Sequence, residues 1–128
     1  MTTVTSPGGR FVQALAAKDT AGLLAVLAPD VTFRAVTPRR FWEAGSAGDA
    51  VRDVLYQWFE PSDVVEQVEA VEEGTVADRR RVTYRLRVRN PEGLFLVEQV
   101  AYLDEDVDGR IRRMHVLCAG YQPIPPEA

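Results

Sequence analysis

The fold is decided by residues 82–118, which read VTYRLRVRNPEGLFLVEQVAYLDEDVDGRIRRMHVLC. Every second residue from Val82 to Val88 is apolar, and a threonine or an arginine lies between each pair. This period of two predicts a half-buried strand. Turn signals follow at 90–93, Asn-Pro-Glu-Gly, and at 104–109, which ends in Asp-Gly. The stretch therefore predicts three successive antiparallel strands joined by two turns.

A further strand-like segment precedes this stretch. Residues 64–72 mix valines with acids, and Gly74 marks a turn. Arginines are frequent in the next strand, both at 79–81 and at alternate positions up to Arg89. Because the preceding strand carries glutamates, cross-strand charge pairing explains this basic run better than nucleic-acid binding does.

Three capping residues mark helix starts in the first half of the chain. Ser6 precedes Pro7 and predicts the first helix, and Asp19 predicts a second. Ser46 and Asp49 form a capping box ahead of the third and strongest helix. Its apolar stripe comprises Ala47, Ala50, Val51, Val54, Leu55 and Trp58. Such a stripe predicts one face packed on a core.

A single short strand separates the second helix from the third. Residues 30–36 alternate with period two, and residues 37–40 indicate a turn or an edge. The segment 41–45 has no clear period and contains Phe41 and Trp42. We interpret it as a loop, whose aromatics form a satellite core or the lip of a cavity. Helices grouped before a run of strands predict an α+β domain.

Composition limits the classes of function. The 128 residues fit one core, and the hydrophobic fraction of 46% is typical of folded proteins. A net charge of -4 argues against a nucleic-acid partner and an anionic membrane surface. The single cysteine excludes an intrachain disulfide, and no apolar segment has the length of a membrane span or the features of a secretory signal. We expect a cytoplasmic protein with a disordered tail at 1–6, a domain at 7–121 and a proline-rich tail at 122–128.

The order of elements resembles the NTF2-like superfamily and its SnoaL-like members. The stretches that carry the resemblance are AAKDTAGLL at 16–24 with LAPDVTF at 27–33, GDAV at 48–51, and DGRI at 108–111. The resemblance implies a cone, in which three N-terminal helices pack on a strongly curved, mainly antiparallel sheet around a pocket. It also implies a homodimer formed through the outer sheet face. One fold of this kind hosts many activities, so the resemblance does not fix one.

The candidate catalytic residue is His115, the only histidine. We pair the last two strands as Leu103 with Ile111, Ala101 with Arg113, Gln99 with His115, and Val97 with Leu117. The resemblance implies that the face with Ile111 lines the pocket, which would place Gln99, Arg113 and His115 inside. A one-residue slip would exchange the two faces. His115 has an ordinary pKa suited to acid-base chemistry, and its alternative role is a hydrogen-bonded core or interface residue.

Four further residues are candidates for ligand binding. Arg113 can bind an anion or a carbonyl, or form an ion pair at a rim. Tyr84 can direct its hydroxyl into the pocket, or serve as a structural tyrosine with a satisfied hydroxyl. Phe33 and Trp42 can form an aromatic lining, whereas the spacing of Trp58 indicates plain core.

The residues known to act in related enzymes do not appear. The resemblance implies an acid near the end of the last strand in SnoaL-like cyclases, and this chain has Cys118-Ala119-Gly120 there. The strand motif of limonene epoxide hydrolases and the acid and tyrosine of ketosteroid isomerases are also missing. One histidine and one cysteine do not make a zinc site without several carboxylates, and we expect neither metal nor cofactor.

Three hypotheses about function follow. The first is a pocket protein that binds a small apolar molecule. The second is a lyase, isomerase or cyclase that acts on a carbonyl-bearing substrate with His115 as acid or base. The third is a dimerisation module without a pocket. A ligand-sized cavity lined by His115, Gln99 and Trp42 would favour the first two.

Overall fold

The computed structural model describes residues 6–125, and its first two helices begin at the predicted caps. Helix α1 (Pro7–Ala16) starts behind Ser6, whose hydroxyl accepts a hydrogen bond from the Gly9 amide at 3.1 Å. Helix α2 (Thr20–Val26) starts behind Asp19, whose carboxylate accepts from the Gly22 amide at 3.0 Å. Both caps satisfy amides that have no partner within the helix.

The third helical region also starts at its predicted cap but is not a uniform α-helix. Helix α3 (Ala47–Asp49) continues as a π-helical segment (Ala50–Leu55) and ends as helix α4 (Tyr56–Trp58). The Tyr56 amide reaches back five residues to the carbonyl of Val51, which marks the wider turn. The predicted apolar stripe remains buried as far as Leu55.

Within residues 6–125, six strands form one sheet. They are β1 (Leu27–Thr37), β2 (Arg40–Ala44), β3 (Val64–Val76), β4 (Arg79–Asn90), β5 (Gly93–Glu105) and β6 (Ile111–Pro123). Their spatial order is β2-β1-β6-β5-β4-β3, and every neighbouring pair is antiparallel except β1 with β6. The predicted α+β architecture, with helices before a mainly antiparallel sheet, is confirmed.

The structure corrects the predicted elements at two places. Trp42 lies in the short edge strand β2, opposite Ala35, and not in a loop. Strand β3 continues through Gly74 as far as Val76, so the turn to β4 lies later than predicted. Periodicity missed β2 because edge strands are short and are exposed on both sides.

The last strand extends beyond the predicted end of the domain. Gln122 and Pro123 pair with Leu96 and Phe95, so β6 includes the first two residues of the expected tail. The predicted disordered tail lies outside the described residues, apart from Ser6, which caps α1. No helix within residues 6–125 has the length and apolarity needed to cross a membrane.

The helices cover one face of the sheet, which we call the concave face. Phe11 of α1 packs edge-on against Tyr84 of β4, with ring centroids 6.4 Å apart. A side chain at Gly8 would meet Val82 at 3.2 Å, so α1 lies directly on the sheet. The other face, which we call the convex face, carries several of the exposed apolar side chains, among them Val36, Phe41 and Leu117.

Candidate functional site

The register of β5 and β6 differs from the predicted one. Gln99 lies opposite Cys118, and His115 lies opposite Tyr102. The predicted pairing of Gln99 with His115 is therefore wrong. Gln99 is buried on the concave face, as expected, whereas His115 lies on the convex face.

A β-bulge at the start of β6 causes this difference. Ile111 and Arg113 pair with Glu105 and Asp104, which are adjacent, so Arg112 is an extra residue. The extra residue reverses the alternation, and Ile111 and Met114 both lie inside. The face with Ile111 is thus the inner one, but the bulge moves Arg113 and His115 to the opposite side.

The surroundings of His115 are charged. It pairs laterally with Arg34 of β1 and Tyr102 of β5. Arg113 lies 3.6 Å from the carboxylate of Asp104, an ion pair on the convex face. Burial lowers the pKa of His115, and Arg79, Arg34 and Arg113 lower it further, while Asp104 acts in the opposite direction. Neither His115 nor Arg113 is among the buried residues of the concave core.

Three polar residues lie side by side on the concave face, one on each of three neighbouring strands. Tyr84 of β4 pairs with Gln99 of β5, which pairs with Cys118 of β6. We call these three residues the polar row. Tyr84 and Gln99 are buried, and Cys118 is half-buried and packs against the core. The row crosses an otherwise apolar surface, so each polar group in it needs a hydrogen-bond partner to offset the free-energy cost of its burial.

The hydrogen bonds of the polar row leave one donor open. The hydroxyl of Tyr84 donates to Oε1 of Gln99 at 2.5 Å. Nε2 of Gln99 is buried and has no acceptor. Rotating the Gln99 amide by 180° would not satisfy every group. Oε1 would then lack a donor, and the Tyr84 hydroxyl proton would lack an acceptor. Burial raises the pKa of Tyr84, so its phenol stays neutral and remains a donor.

A group of three aromatic side chains joins helix α4 to strands β1 and β2. Trp58 packs against Phe33 and Trp42, with ring centroids 6.2 and 6.1 Å away. Trp42 donates from Nε1 to the hydroxyl of Thr37 at 2.7 Å, whereas the buried Nε1 of Trp58 has no acceptor. Phe33 and Trp42 thus both pack against Trp58, and their role as the lining of a ligand pocket stays a prediction. The Trp58 indole is thus the second buried donor without an acceptor, after the Gln99 amide. The helical spacing of Trp58 gave no sign of this.

Tyr121 closes the same end of the cone. A second bulge, at Ala119 and Gly120, brings Tyr121 opposite Val97 on the concave side, and Gly120 adopts a φ of +89° there. The Tyr121 hydroxyl is 2.8 Å from the carbonyl oxygen of Trp58 and 3.0 Å from Oδ2 of Asp63. These contacts join the last helix to the last strand.

Asp63 is a buried carboxylate that sequence reasoning missed. It accepts hydrogen bonds from the Glu60 amide, the Asn90 side chain and Tyr121. Lys18 binds the carbonyl oxygens of Glu60 and Asp63. Asp63 thus connects four parts of the chain, and its polar partners are all protein groups. Its place two residues after Pro61, in a turn, was the available signal.

A cleft of about 400 Å³ opens at this end of the molecule. Trp58, Asp63, Asn90 and Tyr121 are among its lining residues. None of five clefts found in the described part of the chain is lined by Gln99, Trp42 or His115, so none of these five is the cavity expected around those three residues. Within residues 6–125, no group of three or more histidine, cysteine or acidic side chains is arranged to hold a metal ion.

Solved structures with the same architecture come from several bacteria. An LEH-like epoxide hydrolase from M. tuberculosis superposes with a TM-score of 0.64 at 15% identity, over 88% of this chain and 79% of that one. A candidate isomerase from Bacillus subtilis gives 0.65 at 12% identity, over 83% and 78%. A candidate SnoaL-like polyketide cyclase from Shewanella putrefaciens gives 0.61 at 13%, over 88% and 86%. At these identities the likeness establishes the fold alone.

Sequence comparison supplies the family. No curated protein matches this sequence significantly. The model of the SnoaL-like domain family matches residues 9–114, a span that starts in α1, ends within β6 and includes Tyr84 and Gln99. The chain therefore belongs to the SnoaL-like domain family, whose NTF2-like cone was expected from its sequence.

Proposed function

We propose that this protein binds a small, neutral and mostly apolar molecule at the open end of the concave face. The observation that carries the proposal is the buried amide nitrogen of Gln99, which has no acceptor. A buried donor without a partner costs on the order of 1–3 kcal/mol. A ligand oxygen that accepts from Gln99 would recover this free energy, and the apolar surroundings would take up the rest of the ligand.

The chemistry of the face favours a carbonyl compound over an anion. A carbonyl oxygen can accept the hydrogen bond that the buried Gln99 amide leaves open, and it carries no charge that burial would penalise. Among residues 6–125, the buried polar or charged side chains are Tyr84, Gln99 and Asp63, and none of them is cationic. A carboxylate ligand would therefore lose its hydration without gaining a countercharge.

The proposed route of entry is the cleft beside Trp58 and Tyr121. Its volume of about 400 Å³ lies within the range of small-molecule sites. Trp58 touches Phe33 and Trp42 on its inner side and lines the cleft on the other. We propose that the Trp58 ring rotates as a ligand passes from the cleft to the concave face, so ligand binding should change the environment of this indole.

Tryptophan fluorescence tests the proposal directly, since both tryptophans of the chain, Trp42 and Trp58, belong to the aromatic group. The probes are 2-adamantanone and 2-methyleneadamantane, which differ only in that a methylene group replaces the oxygen. We expect the ketone to bind about tenfold more tightly, the effect of one hydrogen bond. The double variant Gln99→Leu/Tyr84→Phe removes both polar partners together and should abolish this difference.

A matched control keeps the result specific. The double variant Gln67→Leu/Tyr102→Phe makes the same substitutions away from the concave core, at an exposed and a half-buried position. It should bind both probes as the unmodified protein does. Equal affinity for ketone and alkene, or no fluorescence change with either, would refute the proposal.

We also propose that two copies associate through the convex face. Phe41, Val36 and Leu117 are 56, 47 and 50% exposed and pair laterally, so they form an apolar row. Ion pairs flank the row on both sides: Arg34 with Glu43 at 3.4 Å and Arg85 with Glu98 at 3.0 Å. Each pair is neutral overall, so two such faces can meet around a two-fold axis without net repulsion.

Sedimentation velocity tests the association. Leu117→Glu places a charge in the centre of the apolar row and should yield monomers. Val107→Glu is the control, because Val107 is fully exposed in the β5–β6 turn. A monomeric unmodified protein at all concentrations would contradict the dimer.

A further inference from the structure

We infer that the polar row is also a site of covalent capture, where the thiol of Cys118 adds to an α,β-unsaturated carbonyl compound whose oxygen is held by Gln99. The inference rests on the proposed function, because the same open amide receives the ligand oxygen. It adds a residue, a bond and a narrower class of ligand.

The first observation behind the inference is that Cys118 lies close to Gln99. Cys118 is the cross-strand partner of Gln99. Side chains of directly opposed residues share one face of a sheet, with Cβ atoms about 4.5–5.5 Å apart. Nε2 of Gln99 is buried with no acceptor, and Gln99 as a whole is 1% exposed. A nucleophile and an open hydrogen-bond donor therefore belong to the same small region of the concave face.

The second observation is that the Cys118 thiol is free, partly accessible and hydrogen-bonded. Cys118 is the only cysteine of the chain, is free and is half-buried, so it is neither bridged nor fully enclosed. The Gly120 amide donates to its sulfur at 3.3 Å, and such a donor stabilises negative charge that develops there. Burial, and to a lesser degree Cys118 itself, raises the pKa of Tyr84. The Tyr84 phenol of the row thus stays protonated and holds the Gln99 amide in place.

The reaction needs no partner besides the unsaturated compound. The sulfur attacks the β-carbon, the C–S bond forms, and the π bond between the α- and β-carbons breaks. The electron pair moves towards the carbonyl oxygen, where the Gln99 N–H stabilises the enolate. The proton given up by the thiol returns at the α-carbon through solvent, so the product is a thioether and the oxidation level of the adduct as a whole is unchanged.

The open donor selects this class of electrophile. A disulfide or a peroxide reacts at sulfur or oxygen without building charge on a distant carbonyl, so Gln99 would not assist it. A conjugated carbonyl places its charge on an oxygen three bonds from the carbon attacked. The polar row has a thiol on one strand, which can attack the β-carbon, and a hydrogen-bond donor on the next strand, which can bind the oxygen.

The experiment compares thiol addition with thiol access. The full chain is incubated with 2-cyclohexen-1-one, and the intact mass records adduct formation over time. Methyl methanethiosulfonate, which carries no carbonyl, measures access to the same thiol. We expect Gln99→Leu/Tyr84→Phe to slow the enone reaction about tenfold, the effect of one hydrogen bond, and to leave the methanethiosulfonate rate unchanged.

A displaced thiol supplies the matched control. The double variant Cys118→Ser/Ala119→Cys moves the sulfur by one residue to an exposed position, away from Gln99. It should react with the enone at the rate of a simple thiol, and about tenfold more slowly than Cys118 after correction for access. Equal corrected rates would overturn the inference, and so would a Gln99 variant that slows both reagents alike.

Cyclohexanone, the saturated counterpart, separates this inference from the function on which it rests. If cyclohexanone binds and the enone shows no Gln99-dependent addition, the binding function stands and covalent capture is refuted. If neither event occurs, both are refuted. Gln99-dependent addition without measurable ketone binding supports capture and counts against reversible binding.

Discussion

The two faces of strands β4, β5 and β6 treat polar groups in opposite ways. On the concave face, the polar row is surrounded by apolar side chains and retains a donor without an acceptor. On the convex face, charged groups are frequent and pair with one another, as Arg85 does with Glu98. Water solvates a partly exposed charge, so an ion pair there contributes about 0–1 kcal/mol. An unmet donor inside the cone has no such compensation and is therefore the more informative feature.

Because of this difference between the faces, Gln99 is a better target for functional tests than His115 or Arg113. His115 and Arg113 are chemically versatile, yet both belong to the convex face, where arginines and acids surround them. Gln99 is a residue type with little intrinsic reactivity, but its burial and its open amide make it the better candidate. Location on a face, and not residue type, separates the two groups.

The largest expected difference between the faces is in packing. Leu103 is 1% exposed on the concave face, and Leu117 is 50% exposed on the convex face. Leu103→Ala should lower the free energy of unfolding by about 2–5 kcal/mol, because it leaves a cavity. Leu117→Ala should cost less than about 1 kcal/mol. Urea denaturation at two protein concentrations measures both and separates any contribution of dimerisation. Similar costs would mean that the two faces are buried alike.

The second expected effect concerns the hydrogen bond within the polar row. Tyr84→Phe leaves both ends of the buried Gln99 amide without partners and should cost about 1–3 kcal/mol. Adding Gln99→Leu removes the remaining polar group, so the double variant should recover part of that loss. Thermal unfolding of the single and double variants forms a mutant cycle. Additive losses would indicate that the bond contributes nothing in the folded state.

The smallest expected effect is the titration of His115 on the convex face. Its folded-state pKa is lowered, so the unfolded chain binds the proton more tightly. The stability that follows is present above the unfolded pKa, about 6.5, and is lost as the pH falls through the folded value. His115→Gln should therefore flatten the stability profile below about pH 6.5. A steeper profile in this variant would reverse the sign of the coupling.

Sequence reasoning located the elements that depend on neighbouring residues. Ser6, Asp19 and Ser46 cap helices as predicted, because a cap needs only the amides two or three residues ahead. The turn at 90–93 and the alternation from Val82 to Val88 also matched the structure. These signals are local, so tertiary contacts did not override them.

The site was harder to predict because it depends on bulges. Strict alternation from Ile111 places His115 inside, but one extra residue at Arg112 places Met114 and Val116 there. The inner set that results is more apolar than the predicted one, and that contrast was the available clue. Asp63 was missed because its place after Pro61 is only a local turn signal, whereas its partners Asn90 and Tyr121 lie 27 and 58 residues away.

The bulge at Arg112 also determines how the chain tolerates insertions and deletions. Removing one residue from the turn at 106–109 disturbs the hydrogen bonds that Asp106 makes in this turn but leaves the alternation of β6 from Ile111 onward in place. Removing Arg112 would turn the β6 residues that follow it, at least as far as Cys118, to the opposite side of the sheet, so that Met114 and Val116 would meet water and His115 would enter the core. The first deletion changes a surface turn, whereas the second, a few residues away, exposes the folded interior to water.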